Sequence, residues 1–185
     1  MERECRLPAF SSLRAQQNFD LCRFLGTWYE IKWFLTGETS DDIWGDHSQL
    51  FDFQDKGKRR LIVYGQARNP NETNCFSTGS WSIDASNGAR MILRTEDLKN
   101  GPIVNWPFLV LKTDYYHYAL VYFCISKNYR QTNPCKERHV TIYSRQKTLV
   151  AKYLNPLVRY VDKNLCISPK QLITTPYQEK PCPAL

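Results

Sequence analysis

No apolar run in these 185 residues approaches the roughly 20 that a membrane-spanning helix needs; stretches such as Phe108 to Leu111 fall far short. The chain opens Met1-Glu2-Arg3-Glu4-Cys5, without the apolar segment of a signal peptide. It therefore reads either as intracellular or as a secreted chain whose leader has been removed. Histidine is scarce, with three, and glycine numbers only eight, which excludes a glycine-rich low-complexity chain. No G-x-S-x-G, P-loop, G-x-G-x-x-G or H-E-x-x-H occurs, so nothing points to the commonest hydrolase, nucleotide or zinc-protease chemistries. The cysteines form neither a C-x-x-C pair nor a cluster with zinc-finger histidine spacing. The expectation is a protein that is not an enzyme and holds no metal.

What is present is a globular composition, 42% hydrophobic and 23% charged, of single-domain size. Seven cysteines are many for a reducing compartment: Cys5, Cys22, Cys75, Cys124, Cys135, Cys166 and Cys182. They are spread from end to end like the staples of a secreted domain. Asn71-Glu72-Thr73 is a glycosylation sequon beside the loop-like Asn69-Pro70, so Asn71 is expected to be exposed and glycosylated. Together these signals predict secretion. Seven is odd, so at least one thiol is free or pairs with another chain. The net charge is +7, and its densest run is Lys56-Gly57-Lys58-Arg59-Arg60. That run reads as a solvated hairpin turn rather than a nucleic-acid patch, since no second basic cluster accompanies it.

Aromatic and β-branched segments recur between Gly, Asn, Asp and Pro clusters, which predicts antiparallel strands over 26–36, 47–54, 59–68, 75–84, 89–95, 107–112, 118–126 and 138–144. Leu61/Val63 against Ile62/Tyr64 is apolar on both faces, as is Ala119/Val121/Phe123 against Leu120/Tyr122. Such strands need packing on both sides or an apolar barrel interior. From Lys147 to Asn164, Leu149, Val150, Tyr153, Leu154, Leu157, Val158 and Val161 follow helical spacing, with Pro156 expected to kink or split the helix. A short strand over 171–175 follows. With no internal repeat, one domain is expected over 1–185: a barrel over about 26–145, a helix over about 147–164 and a tail over 165–185. The predicted fold class is all-β, an eight-stranded antiparallel up-and-down barrel with the helix packed outside.

Particular residues then resemble the lipocalin family. Asn18-Phe19-Asp20 followed by Gly26-Thr27-Trp28-Tyr29-Glu30 resembles its first motif, and Thr113-Asp114-Tyr115 followed by Tyr118-Ala119-Leu120 its second. Ser144-Arg145 resembles the third, and all three stand in the family's order. The resemblance implies that Trp28 closes the barrel floor with Arg145 lying across it, a structural contact worth about 1–2 kcal/mol. Within the family, the cysteine framework looks most like the retinol-binding branch. That implies disulfides Cys5–Cys166, Cys75–Cys182 and Cys124–Cys135; Cys22 is left over and is expected to be a buried, inert thiol rather than to pair with another chain. The likeness is poor from Lys32 to Trp106, so the apolipoprotein D and invertebrate pigment-binding branches remain competitors for the ligand class.

A lipocalin implies a small apolar ligand inside the barrel, with one strand residue in two facing inward. Counted from the family's registers, Phe51, Phe53, Leu61, Val63, Met91, Leu93, Phe108, Val110, Val121 and Phe123 face inward, as do His139, Thr141 and Tyr143. Ile43 and Trp44 are expected at the entrance, opposite the loop from Glu96 to Trp106. For each apolar residue, core packing competes with ligand contact, and it prevails towards Trp28. His139 and Tyr143 are candidates to fix a ligand hydroxyl or carboxylate. Glu30 and Lys32 share the parity of Trp28 and would need each other if both faced inward. In the alternative pigment reading, Lys32, Arg94 or Lys112 would hold the propionates of a tetrapyrrole such as biliverdin.

The expected function is secretion and transport of a retinoid, fatty acid or similar lipid, held non-covalently and with no other cofactor. The alternatives are a pigment carrier, or a protein-interaction lipocalin with a closed cavity. The expected partners are the hydrophobic ligand and a cell-surface receptor or carrier protein, with no nucleic acid and no membrane span. The chain itself is expected as a monomer or weak dimer.

Overall fold

Eight long antiparallel strands close on themselves in the computed structural model, which describes residues 5–39, 44–55, 60–95, 105–183 and 185. They are β1 (Gly26–Leu35), β2 (Gly45–Asp55), β3 (Arg60–Arg68), β4 (Cys75–Asp84), β5 (Arg90–Thr95), β6 (Asn105–Thr113), β7 (Tyr118–Cys124) and β8 (Arg138–Ser144). Each pairs with the next from β2 to β8, and β1 pairs with both β8 and β2, which shuts the ring. A ninth strand, β9 (Ile173–Thr174), adds to the upper part of β1. The expected eight-stranded antiparallel up-and-down barrel is thus the observed architecture. The basic run Lys56–Arg59 lies outside the described residues.

The two-faced apolar strands have two cores. Inward residues of β6 and β7, including Phe108, Val110, Val121 and Phe123, join the barrel interior. Their outward neighbours Leu109, Leu120 and Tyr122, with Val140 and Ile142 of β8, pack against Leu157, Val161 and Leu165 of helix α2 (Ala151–Leu165). Each such buried aliphatic side chain contributes about 1.5–3 kcal/mol, enough to hold a 15-residue helix on the sheet. The helix runs unbroken through Pro156, so the expected split does not occur. The proline forgoes one bond, to the carbonyl of exposed Lys152, and the Leu157/Val161/Leu165 stripe fixes the turns that follow.

The floor is built by a single helical turn, α1 (Leu21–Phe24), whose cap Asp20 accepts the Arg23 N–H at 3.1 Å. That turn drives Phe24 into the barrel base, 5.2 Å from both Trp28 and Phe51 between ring centroids. Trp28 Nε1 donates to the Phe24 carbonyl at 2.8 Å, and the Arg145 guanidinium lies 3.6 Å from the Trp28 ring centroid. Gly26 sits at φ +97°, and a Cβ there would stand 3.3 Å from Arg145 Nη1, so conformation and space both call for glycine. The second motif braces this floor: the Asp114 carboxylate gathers the N–H groups of Tyr116, His117 and Tyr118, and the Tyr115 hydroxyl accepts from Asp20 N at 3.0 Å.

All three expected disulfides are present: Cys5–Cys166, Cys75–Cys182 and Cys124–Cys135. Cys22 is a correction. It is free but exposed, not buried, because α1 turns Phe24 inward and leaves Cys22 on the outer side of the same turn. Asn71 lies exposed in the turn between β3 and β4, at φ +63°.

The tail has a larger part than its proline content suggested. β1 and β2 pair only from Gly26 to Tyr29; above that, residues 173–178 fill the seam. Thr175 N donates to Ile31 O, Asp46 N donates to Pro176 O at 2.9 Å, and the Tyr177 hydroxyl bridges the carbonyls of Glu30 (2.9 Å) and His47 (2.7 Å). Replacing Tyr177 with phenylalanine should cost about 1–2 kcal/mol, read as a lower urea midpoint. An unchanged midpoint would mean the seam is held without it.

Candidate functional site

Alternation along closed strands sends every second side chain inward, and the core they form does not reach the open end. A cavity of about 500 Å³ opens there, between the ends of β1, β7 and β8 and the turn from β3 to β4. Among the described residues the barrel is therefore hollow above its floor. Seven of the expected residues line it: Trp44, Phe51, Val63, Leu93, Phe108, Phe123 and His139. Leu61, Met91, Val110, Val121 and Tyr143 instead belong to the packed core beneath, with Phe24 and Trp28, and Phe53 packs against that core from a partly buried position. Thr141 is buried behind the cavity wall, its Oγ1 3.2 Å from His139 Nε2. Ile43 and the segment 96–104 of the opposite loop lie outside the described residues.

The cavity also takes Leu35, His47, Gln49, Ala67, Asn69, Pro70, Phe76, Thr78, Trp81, Trp106 and Ile125. His47 and Gln49 have the parity of Phe51, a signal present in the sequence but masked by their polarity. Leu35 was hidden by a bulge between Glu30 and Lys32, which switches the inward residues of β1 from Trp28 and Glu30 to Trp33 and Leu35. Thr78 is the extra residue of a bulge in β4, opposite the Gly65–Gln66 step.

The same bulge separates Glu30 from Lys32. Lys32 does not pair with Glu30; its ammonium bonds Thr174 Oγ1 on β9 at 2.5 Å. Glu30 is fully buried and finds other partners. Its Oε1 accepts from Trp44 Nε1 and Thr175 Oγ1, both at 2.7 Å, and its Oε2 lies 2.9 Å from His47 Nδ1. Burial works to raise the Glu30 pKa, but the His47 imidazole, helped by His139 and Thr175, holds it below the ordinary carboxylate value. Burial pushes His139 down to about 4, against the attraction of Glu30, so its ring is neutral at pH 7. Tyr143, whose phenol burial keeps protonated, donates to Gln49 Oε1 at 2.9 Å.

Two tryptophan pairs face each other across the ring. Trp33 and Trp44 stack at 4.0 Å on the β1–β2 side, and Trp81 and Trp106 at 5.3 Å on the β4–β6 side. No lysine or arginine lines the cavity among the described residues. The cations expected to hold tetrapyrrole propionates lie elsewhere. Arg94 sits 3.4 Å from Asp84 on the surface, Lys112 covers the Tyr160 ring beneath α2, and Lys32 faces β9. No group of three or more His, Cys, Asp or Glu suited to a metal ion occurs among the described residues.

No protein-family model matches the sequence. The chain is 27% identical over 176 residues to retinol-binding protein 4 of Mus musculus, an alignment spanning 90% of this chain and 80% of that protein. The identity and coverage are the same for retinol-binding protein 4 of Rattus norvegicus. For that of Gallus gallus they are 26% over 183 residues, with 91% and 84% covered.

Proposed function

We propose that this lipocalin barrel, similar to retinol-binding protein 4 along 90% of its length, binds one small hydrophobic molecule in its open cavity and carries it outside the cell. The observation that carries this reading is the preformed, aromatic-walled space of about 500 Å³ above a sealed floor, a size typical of small-molecule sites. Binding is the work such a space does: apolar ligand surface leaves water at about 25 cal/mol per Å², less the cost of immobilising the ligand. The relatives' names make retinol the first ligand to try. Three disulfides and the sequon at exposed Asn71 support an oxidising, extracellular location with a glycan at that asparagine. A receptor or carrier protein would then recognise the loaded barrel from outside.

The test is titration of the intact chain with all-trans-retinol, oleic acid and biliverdin, followed by tryptophan quenching. The two tryptophan pairs at the cavity make saturable, one-site quenching by retinol the expected result. Biliverdin, whose propionates meet no lining cation among the described residues, is expected to bind weakly. Ala67, buried on the cavity wall, supplies the control. Ala67→Trp should fill the space and weaken retinol by about tenfold or more. Absence of quenching by any ligand, or full affinity in the filled variant, would refute the carrier reading.

A further inference from the structure

The cavity wall made by β8, β1 and β2 is unlike the rest, because it carries polar groups whose inner ends are already bonded. Gln49 gives its Oε1 to the Tyr143 hydroxyl at 2.9 Å, and its Nε2 has no protein partner among the described residues. His139 uses Nε2 towards Thr141 Oγ1 at 3.2 Å, which leaves Nδ1 for the cavity. Gly65 brings a third group in. A Cβ on Gly65 would stand 1.9 Å from Thr78 Oγ1 and 4.0 Å from Gln49 Cγ, so the missing side chain is what lets the Thr78 hydroxyl lie over Gly65, on the same stretch of lining as Gln49. The facing wall is aromatic, and a buried carboxylate, Glu30, stands behind His47.

We propose that the cavity takes its ligand by a neutral hydroxyl or carbonyl oxygen, held inside the barrel by the Gln49 amide with Thr78 and His139 beside it, and that it discriminates against the same ligand ending in a carboxylate. The proposal rests on the carrier reading. A neutral oxygen accepts the Gln49 N–H, in a chain polarised by the Tyr143 hydroxyl behind it. A carboxylate in the same place loses its water and meets no lysine or arginine among the described residues, while the His47 imidazole on the lining already stands 2.9 Å from the buried Glu30 carboxylate. Neutral His139 donates or accepts a hydrogen bond there but brings no charge. A ligand lacking the oxygen leaves the amide unpaired, which is how a built polar site rejects an apolar analogue.

Matched polyenes test this. The intact chain is titrated near pH 7 with all-trans-retinol, all-trans-retinal and all-trans-retinoic acid, read by tryptophan quenching. Retinol and retinal should bind at least about tenfold more tightly than the acid. Gln49→Leu should weaken retinol by about tenfold and leave the acid within about twofold, so that the preference collapses. Because that change also releases Tyr143, Thr78→Val provides a milder variant, expected to weaken retinol about threefold without affecting the acid. Equal binding of alcohol and acid, or a preference that survives both substitutions, overturns the proposal and leaves the carrier reading standing. Failure of all three polyenes to quench overturns the proposal, and the carrier reading falls with it if oleic acid and biliverdin fail as well.

Discussion

Replacing Arg145 with methionine should lower the unfolding free energy by roughly 3–5 kcal/mol. The methionine fills much of the volume but none of the hydrogen-bonding role. The guanidinium donates to the carbonyls of Tyr115 (3.0 Å), Thr27 (2.9 Å), Arg23 (2.9 Å), Phe24 (3.2 Å) and Leu25 (2.9 Å) while lying on the Trp28 ring. These bonds tie the turn after α1, the start of β1 and the second motif to a single side chain. Hydrogen bonds to a charged group contribute about 1.5–3 kcal/mol each. They do not add, because some carbonyls regain water when the arginine is removed. Partial burial lowers the Arg145 pKa to about 10, so the charge is intact at neutral pH. Arg145→Lys keeps that charge but not the planar fork, and should recover less than half of the loss. Urea midpoints measure all three proteins; a deficit under about 1 kcal/mol for the methionine variant would show that the floor closes without this clamp.

Acid should destabilise the protein by up to about 3 kcal/mol between roughly pH 6.5 and 4 through His139 alone. The folded pKa of about 4 lies below the ordinary value of 6.5, because burial disfavours the imidazolium more than Glu30 favours it. In that window the unfolded chain binds the proton and the folded chain does not, so stability rises with pH. The contribution is full above about 6.5, falls as pH drops, and is gone below about 4. Glu30 acts in the same direction at lower pH. Its folded pKa is depressed below 4.5, so its contribution is present above that value and is lost as pH falls through the folded value. His139→Gln keeps a hydrogen-bonding side chain near Thr141 and removes the titration. It should flatten the plot of urea midpoint against pH between about 6.5 and 4, while leaving the lower step. A wild-type midpoint that stays level down to about pH 5 would contradict a neutral, buried His139.

How far the sequence reached depended on where strand alternation is continuous. Phe51, Val63, Leu93, Phe108 and Phe123 were legible as cavity residues because their strands keep parity and their side chains are apolar. His47 and Gln49 keep the same parity, yet a polar residue on a strand reads as solvent-facing until the ring closes around it. Leu35 and Thr78 lay beyond reach for another reason: each follows or forms a bulge, and a bulge resets which face is inside. Motif residues behaved differently. Trp28, Arg145 and the six paired cysteines are fixed by long-range contacts that the family resemblance supplies and local pattern does not. The exposure of Cys22 turned on the orientation of one helical turn, and hydrophobicity carries no information about that.

The filled seam between β1 and β2 also has a temporal side. Residues 173–178 leave the ribosome after all eight barrel strands, and Cys182 later still. Until they arrive, the upper edge of β1 at Lys32 and Trp33 offers unpaired amides to any passing strand. The nascent barrel is therefore most prone to edge-to-edge association in the interval before its own tail docks. The Cys75–Cys182 bond then makes that docking permanent, so oxidation after synthesis retires the hazard that the order of translation creates.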